Sequence, residues 1–150
     1  GYWKDVGTIP SLWEANMEVL DPENSGIDLF DEDWKIYSRN PIAPPHFVAK
    51  GAKVENSMVG EGCYIAGEVD YSILFSNVEV EEGATVKYSI VMPGTKIRKG
   101  AVVEYSIVGE DCVINENAKI QLLKRVHTSV KALKAFQTLM NGALRLSVKR

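Results

Sequence analysis

Two histidines and two cysteines in 150 residues leave little room for chemistry built on imidazole or sulfur. Cys63 and Cys112 stand far apart, with no Cys-x-x-Cys and no neighbouring histidine. That arrangement excludes a zinc ribbon and a disulfide framework and leaves both as small core residues. No apolar run approaches the roughly 18 to 20 residues of a membrane helix, and no charged-then-apolar signal peptide begins the chain. The expected setting is therefore cytoplasmic, with neither membrane nor nucleic acid as a partner. Acids are missing from one region only. The first 120 residues hold all 20 Asp and Glu against ten Lys and Arg, whereas residues 121 to 150 hold seven Lys and Arg and no acid. The net charge of −3 hides an acidic body and a basic tail. With 45% apolar and 25% charged residues the composition is that of an ordinary globular chain, long enough to bury a core.

What is present in the body is a repeat. VENSMV begins at Val54, VDYSIL at Val69, VKYSIV at Val86 and VEYSIV at Val103, at spacings of 15, 17 and 17 residues. Within it runs a finer period, an aliphatic residue followed four positions later by a small one: Val59 and Cys63, Val80 and Ala84, Ile97 and Ala101, Val108 and Cys112, Ile114 and Ala118. A helix repeats its apolar residues at three and four and a single strand at two. Aliphatic positions every five or six residues, with glycine or acid-glycine pairs between, suit short strands joined by tight corners. Three such sides make one coil of a solenoid whose stacked coils pair their strands in parallel, like residue over like. Val86, Val103 and Ile120 then form one interior column, Ile97 and Ile114 a second, and Val91 and Val108 a third. Cys63 and Cys112 take equivalent small interior slots.

Residues 1 to 45 precede the solenoid, which spans 46 to 120. Ser11 is placed to cap a short helix with Glu14 three residues on, and Leu12, Ala15, Asn16, Val19 and Leu20 follow at helical spacing until Asp21-Pro22 stops it. The acids of DLFDEDWKI lack the alternation and the glycine of a calcium loop. PIAPP, residues 41 to 45, is a stiff extended spacer.

The six-residue rhythm resembles the hexapeptide-repeat, left-handed parallel β-helix of many acyltransferases and sugar nucleotidyltransferases. The handedness is implied by the resemblance, because the usual crossover preference is right-handed. The acyltransferases depend on histidines at subunit junctions, and His46 beside the prolines and His127 in the tail do not match that use. The order of the remaining motifs is more specific. GYWKDVGT at residues 1 to 8, SLWEANMEVL at 11 to 20, PIAPP and then the solenoid resemble bacterial ADP-glucose pyrophosphorylases, the glucose-1-phosphate adenylyltransferase family, over about residues 1 to 120.

That resemblance implies an enzyme joining ATP to glucose 1-phosphate, releasing pyrophosphate and forming ADP-glucose for glycogen. It implies Mg²⁺ bound in part by Asp5, as metal ligand and catalytic residue, with a second carboxylate elsewhere. It places Gly1 and Gly7 at close turns around the site and Trp3 packed beneath it, while strand alternation sends Lys4 to the other face. With no initiator methionine and no glycine-rich nucleotide loop, the chain reads as the carboxyl-terminal part of such an enzyme, inactive alone and holding no metal by itself. Its β-helix then serves assembly into a homo- or hetero-tetramer and allosteric control. The resemblance does not single out Lys50, Lys53, Arg98 or Lys99 for an effector site. A non-catalytic regulatory or scaffold subunit of the same enzyme is the alternative.

From Gln121 the rhythm stops. Leu122, Val126, Val130, Leu133, Phe136, Met140 and Leu144 recur at three and four, as in a basic amphipathic helix. Three readings stay open for 121 to 150: a membrane-surface or partner helix, a cap on the open end of the solenoid, or a stretch foreign to the body.

Overall fold

The computed structural model describes residues 3–35 and 41–121, the side chain of Asn24 excepted. Gly1 and the candidate helix from Leu122 onward lie outside the described residues. Fourteen short strands among them form three parallel sheets, the faces of a β-helix. The first face stacks β1 (Phe47–Val48), β4 (Tyr64–Ile65), β7 (Glu79–Val80), β10 (Lys96–Ile97) and β13 (Val113–Ile114). The second stacks β2 (Lys53–Glu55), β5 (Glu68–Asp70), β8 (Thr85–Lys87), β11 (Val102–Glu104) and β14 (Lys119–Gln121). The third stacks β3 (Met58–Val59), β6 (Ile73–Leu74), β9 (Ile90–Val91) and β12 (Ile107–Val108).

Register follows the repeat. Val86 pairs with Val69 and with Val103, Val103 with Ile120, Ile97 with Val80 and Ile114, and Val91 with Val108 through the β9–β12 pair. Alternation turns one residue of each two-residue strand inward, so Ile65, Val80 and Ile97 are fully buried. The middle coils are closed and the ends open. Val69, Val86 and Val103 are 0% exposed, whereas Val48 in the first coil is 43% exposed, and Ile114 in the last is half-buried. Each fully buried Val or Ile contributes about 1.5–3 kcal/mol relative to an exposed one.

The coil from Val54 to Val69 is two residues shorter than the others, and the shortening falls at the corner after β4. There Ala66 and Gly67 replace a four-residue turn. A Cβ on Gly67 would lie 2.3 Å from the carbonyl oxygen of Ala84, so only glycine lets the shortened corner lie against the next coil. A serine ladder closes another corner. Ser57, Ser72, Ser89 and Ser106 stack, and the Oγ of each of the first three accepts the amide of the serine one coil on at 3.1 Å. Each hydroxyl donates to the carbonyl two residues before it, at 2.6–2.8 Å.

Before the solenoid lies α1 (Ile9–Glu18), followed by the single turn α2 (Pro22–Ser25). The helix begins earlier than its spacing predicts. Thr8, not Ser11, is the N-cap, and Ser11 sits at N3, where its side chain accepts the Thr8 amide while its own amide donates to Thr8 Oγ1. Pro10, at the start of the helix where an amide donor is not needed, extends the first turn back past Ser11.

Candidate functional site

Asp5 lies three residues ahead of the Thr8 cap. Its Oδ1 accepts the Gly7 amide at 2.8 Å, a local turn that only short polar side chains make. A Cβ on Gly7 would stand 3.1 Å from that oxygen, so glycine leaves the carboxylate room. The carboxyl group is exposed. Its neighbour Lys4 turns away toward the helix and pairs with Glu14 at 3.3 Å and Glu18 at 2.5 Å. Partial burial alone would lower the Lys4 pKa, but the hydrogen bonds to Glu18 and Glu14 outweigh it and raise it above its ordinary value. Lys4 is thus committed to α1. Trp3 is 85% exposed. Among the described residues no group of three His, Cys, Asp or Glu could hold a metal ion.

The helix that carries this turn is fixed to the solenoid. The outward residues of the third face, Met58, Ile73, Ile90 and Ile107, are apolar, and they pack with Met17, Trp13 and Leu20 of the α1 segment. Ile90 is 1% exposed and Met17 6%. The indole Nε1 of Trp13 donates to the carbonyl of Tyr88 at 2.9 Å, and its ring lies 6.4 Å from that of Tyr105. Tyr105 stacks on Tyr88 at 4.8 Å with an interplanar angle of 2°, and Tyr88 packs on Tyr71 at 5.2 Å. Sequence reasoning missed this contact. The Tyr-Ser-Ile recurring from 71, 88 and 105 shows that this face repeats, but not which segment covers it.

The remaining candidates are structural. Val86, Val103 and Ile97 are buried, and Ile114 packs against the same core. Cys63 is 2% exposed and its Sγ donates to the Phe75 carbonyl; burial pushes its thiol pKa up, against the hydrogen bonds that lower it. Cys112 is half-buried in the equivalent slot. Arg98 and Lys99 each meet an acid one coil below: Arg98 bonds Glu81, the Lys99 amide donates to Glu81 at 2.8 Å, and Lys99 Nζ reaches Glu82 at 3.3 Å. Lys53 pairs with Glu55 at 3.1 Å. The Arg98 and Lys99 pairs stitch neighbouring coils together, whereas Lys53 and Glu55 pair within the single strand β2. No helix among the described residues is long and apolar enough to cross a membrane.

Comparison with known proteins agrees with the repeat. The GlmU-like, C-terminal hexapeptide family matches residues 43–127. A glucose-1-phosphate adenylyltransferase of Bacillus thuringiensis (strain Al Hakam) is 58% identical over 86 residues, covering 57% of this chain and 23% of that protein. The glucose-1-phosphate adenylyltransferase of Geobacillus stearothermophilus is 55% identical over 87 residues, covering 58% of this chain and 22% of its own. The match thus spans under a quarter of the length of these relatives. From the family match over more than half its length, with the coil register to support it, the chain belongs to the GlmU-like, C-terminal hexapeptide family.

Proposed function

We propose that this chain is the solenoid-bearing part of a glucose-1-phosphate adenylyltransferase, a cytoplasmic nucleotidyltransferase that forms ADP-glucose and pyrophosphate from ATP and glucose 1-phosphate for glycogen synthesis. The observation that carries the reading is the 58% identity over 86 residues to relatives of that name. The solenoid serves assembly into a homo- or hetero-tetramer and allosteric control, and the chain by itself is inactive.

Asp5 fits the part of one oxygen ligand to Mg²⁺. It is an exposed, hard anionic donor, oriented by the Gly7 amide, and Mg²⁺ takes one or two carboxylates alongside phosphates and water. When bound, the metal neutralises charge that builds on the leaving pyrophosphate. The chain's own contribution is to hold the Asp5 carboxylate still at the end of a capped helix, with Lys4 drawn off to Glu14 and Glu18.

The test is an adenylyltransferase assay with ATP, glucose 1-phosphate and Mg²⁺ on the full-length gene product, its Asp5→Asn form and this chain alone. Asparagine keeps the acceptor for the Gly7 amide but loses the charge. Activity confined to the full-length wild type supports Asp5 as a ligand. Full activity in Asp5→Asn would refute that role, and an inactive full-length protein would make the chain part of a regulatory or scaffold subunit.

A further inference from the structure

Backbone with positive φ is confined, within the solenoid, to its three corners, and one corner departs from the residues that tolerate it. The first corner uses Gly62, Asn77, Gly94 and Asp111, and the second Gly51, Gly83, Gly100 and Asn117. Glycine, Asn and Asp enter this region at little cost. The third corner uses Asn56 in the first coil and then Tyr71, Tyr88 and Tyr105, at φ of 44°, 47° and 47°. A tyrosine there crowds its Cβ against the backbone three times over. Strain of this kind persists where something else holds it, and points to a role.

The surroundings supply the role. In this conformation the three rings form a row from coil to coil, Tyr71 tilted on Tyr88 at 5.2 Å and Tyr88 stacked on Tyr105 at 4.8 Å, and Trp13 lies tilted against Tyr105 while donating to the Tyr88 carbonyl at 2.9 Å. Ile73 and Ile90, beside the tyrosines, are sealed by Met17 of the same helix. The connection continues to the N-terminal end of α1. Thr8 and Ser11 lock the first turn, and Lys4, next to Asp5, is tied to Glu14 and Glu18. An unbroken set of packed or bonded groups thus runs from the tyrosine corner to the Asp5 turn.

We infer that the tyrosine corner is a docking platform for α1, and that Tyr88, Tyr105 and Trp13 are positioning residues that set where the Asp5 carboxylate stands relative to the solenoid. The second half rests on the reading of Asp5 given above. None of the three touches the reacting atoms. A corner built from asparagine would turn the chain equally well but would leave the helix without a stacked surface to lie on.

That difference supplies the test. Tyr88→Asn/Tyr105→Asn keeps residues that accept positive φ, so the coil is preserved while the platform is lost. Amide hydrogen exchange on the 150-residue chain is expected to quicken about tenfold or more over residues 12–18, with the β8 and β11 amides unchanged. In the full-length enzyme, kcat is expected to fall about 10- to 100-fold with little change in KM, as misplacement of a positioned group produces. Unchanged exchange in α1 overturns the docking. Faster exchange with unchanged kcat overturns the positioning. If the double variant does not fold, Trp13→Phe, which removes the indole donor and part of the ring surface while keeping an aromatic side chain, is read the same way. A wild-type enzyme without adenylyltransferase activity overturns the positioning together with the reading of Asp5, while exchange still decides the docking by itself.

Discussion

Replacing Ser89 by alanine tests whether the serine ladder, rather than apolar packing alone, holds the corners of successive coils together. Ser89 is 0% exposed and Ser106 2%. The Ser89 hydroxyl accepts the Ser106 amide at 3.1 Å and donates to the Lys87 carbonyl at 2.8 Å. Its loss affects the two partners differently. The Lys87 carbonyl keeps the amide of Tyr105 at 3.0 Å, but the Ser106 amide is left buried without the acceptor that Ser89 supplied. An orphaned buried donor costs about 1–3 kcal/mol, so about 2 kcal/mol is expected, or roughly 4–8 °C in Tm for a chain of this length. Ser57→Ala is the internal control. Ser57 is half-buried in the first described coil, where water can replace the hydroxyl, and a loss below about 1 kcal/mol is expected. Thermal and urea unfolding followed by circular dichroism give both numbers. A Ser89→Ala change within about 0.5 kcal/mol of wild type, the ordinary range for surface substitutions, would refute the ladder's role, as would equal losses at the two positions.

The same contrast between closed middle and open end applies to the apolar column: Ile97→Ala is expected to cost about 2–5 kcal/mol and Ile114→Ala distinctly less, and equal losses in urea would show that both coils are equally sealed. Cys63, buried with a raised thiol pKa, should resist iodoacetamide at pH 8 until the chain unfolds, while half-buried Cys112 reacts first; mass spectrometry of tryptic peptides reads the order. The Glu81 carboxyl is held below its ordinary 4.5, first by Arg98 and then by the Lys99 amide. A lowered folded-state pKa means that its contribution is present above about pH 4.5 and disappears as pH falls through the folded value. Wild type and Glu81→Gln should therefore differ in stability at pH 7 and converge in acid, and a constant difference across that range would exclude the ion pair as its source.

The columns were legible because a solenoid makes each coil's neighbours its own repeats. Once Val54, Val69, Val86 and Val103 are aligned, pairing and burial follow without any long-range choice. The capping of α1 was legible only in part. Thr8 and Ser11 both suit a cap, and Pro10 decided between them by starting the helix one turn earlier. The path of α1 over the third face was written in no local pattern. Its partners, Trp13 with Tyr88 and Met17 with Ile90, are more than 70 residues apart in the chain, and an outward Ile in a two-residue strand looks the same covered or bare. The repeat alone therefore determined the β-helix, its register and its interior, since those depend on contacts between equivalent positions of neighbouring coils. Only the tertiary structure decided that three tyrosines adopt a strained corner and that α1 lies against them, because packing between unlike segments depends on shape that no period encodes.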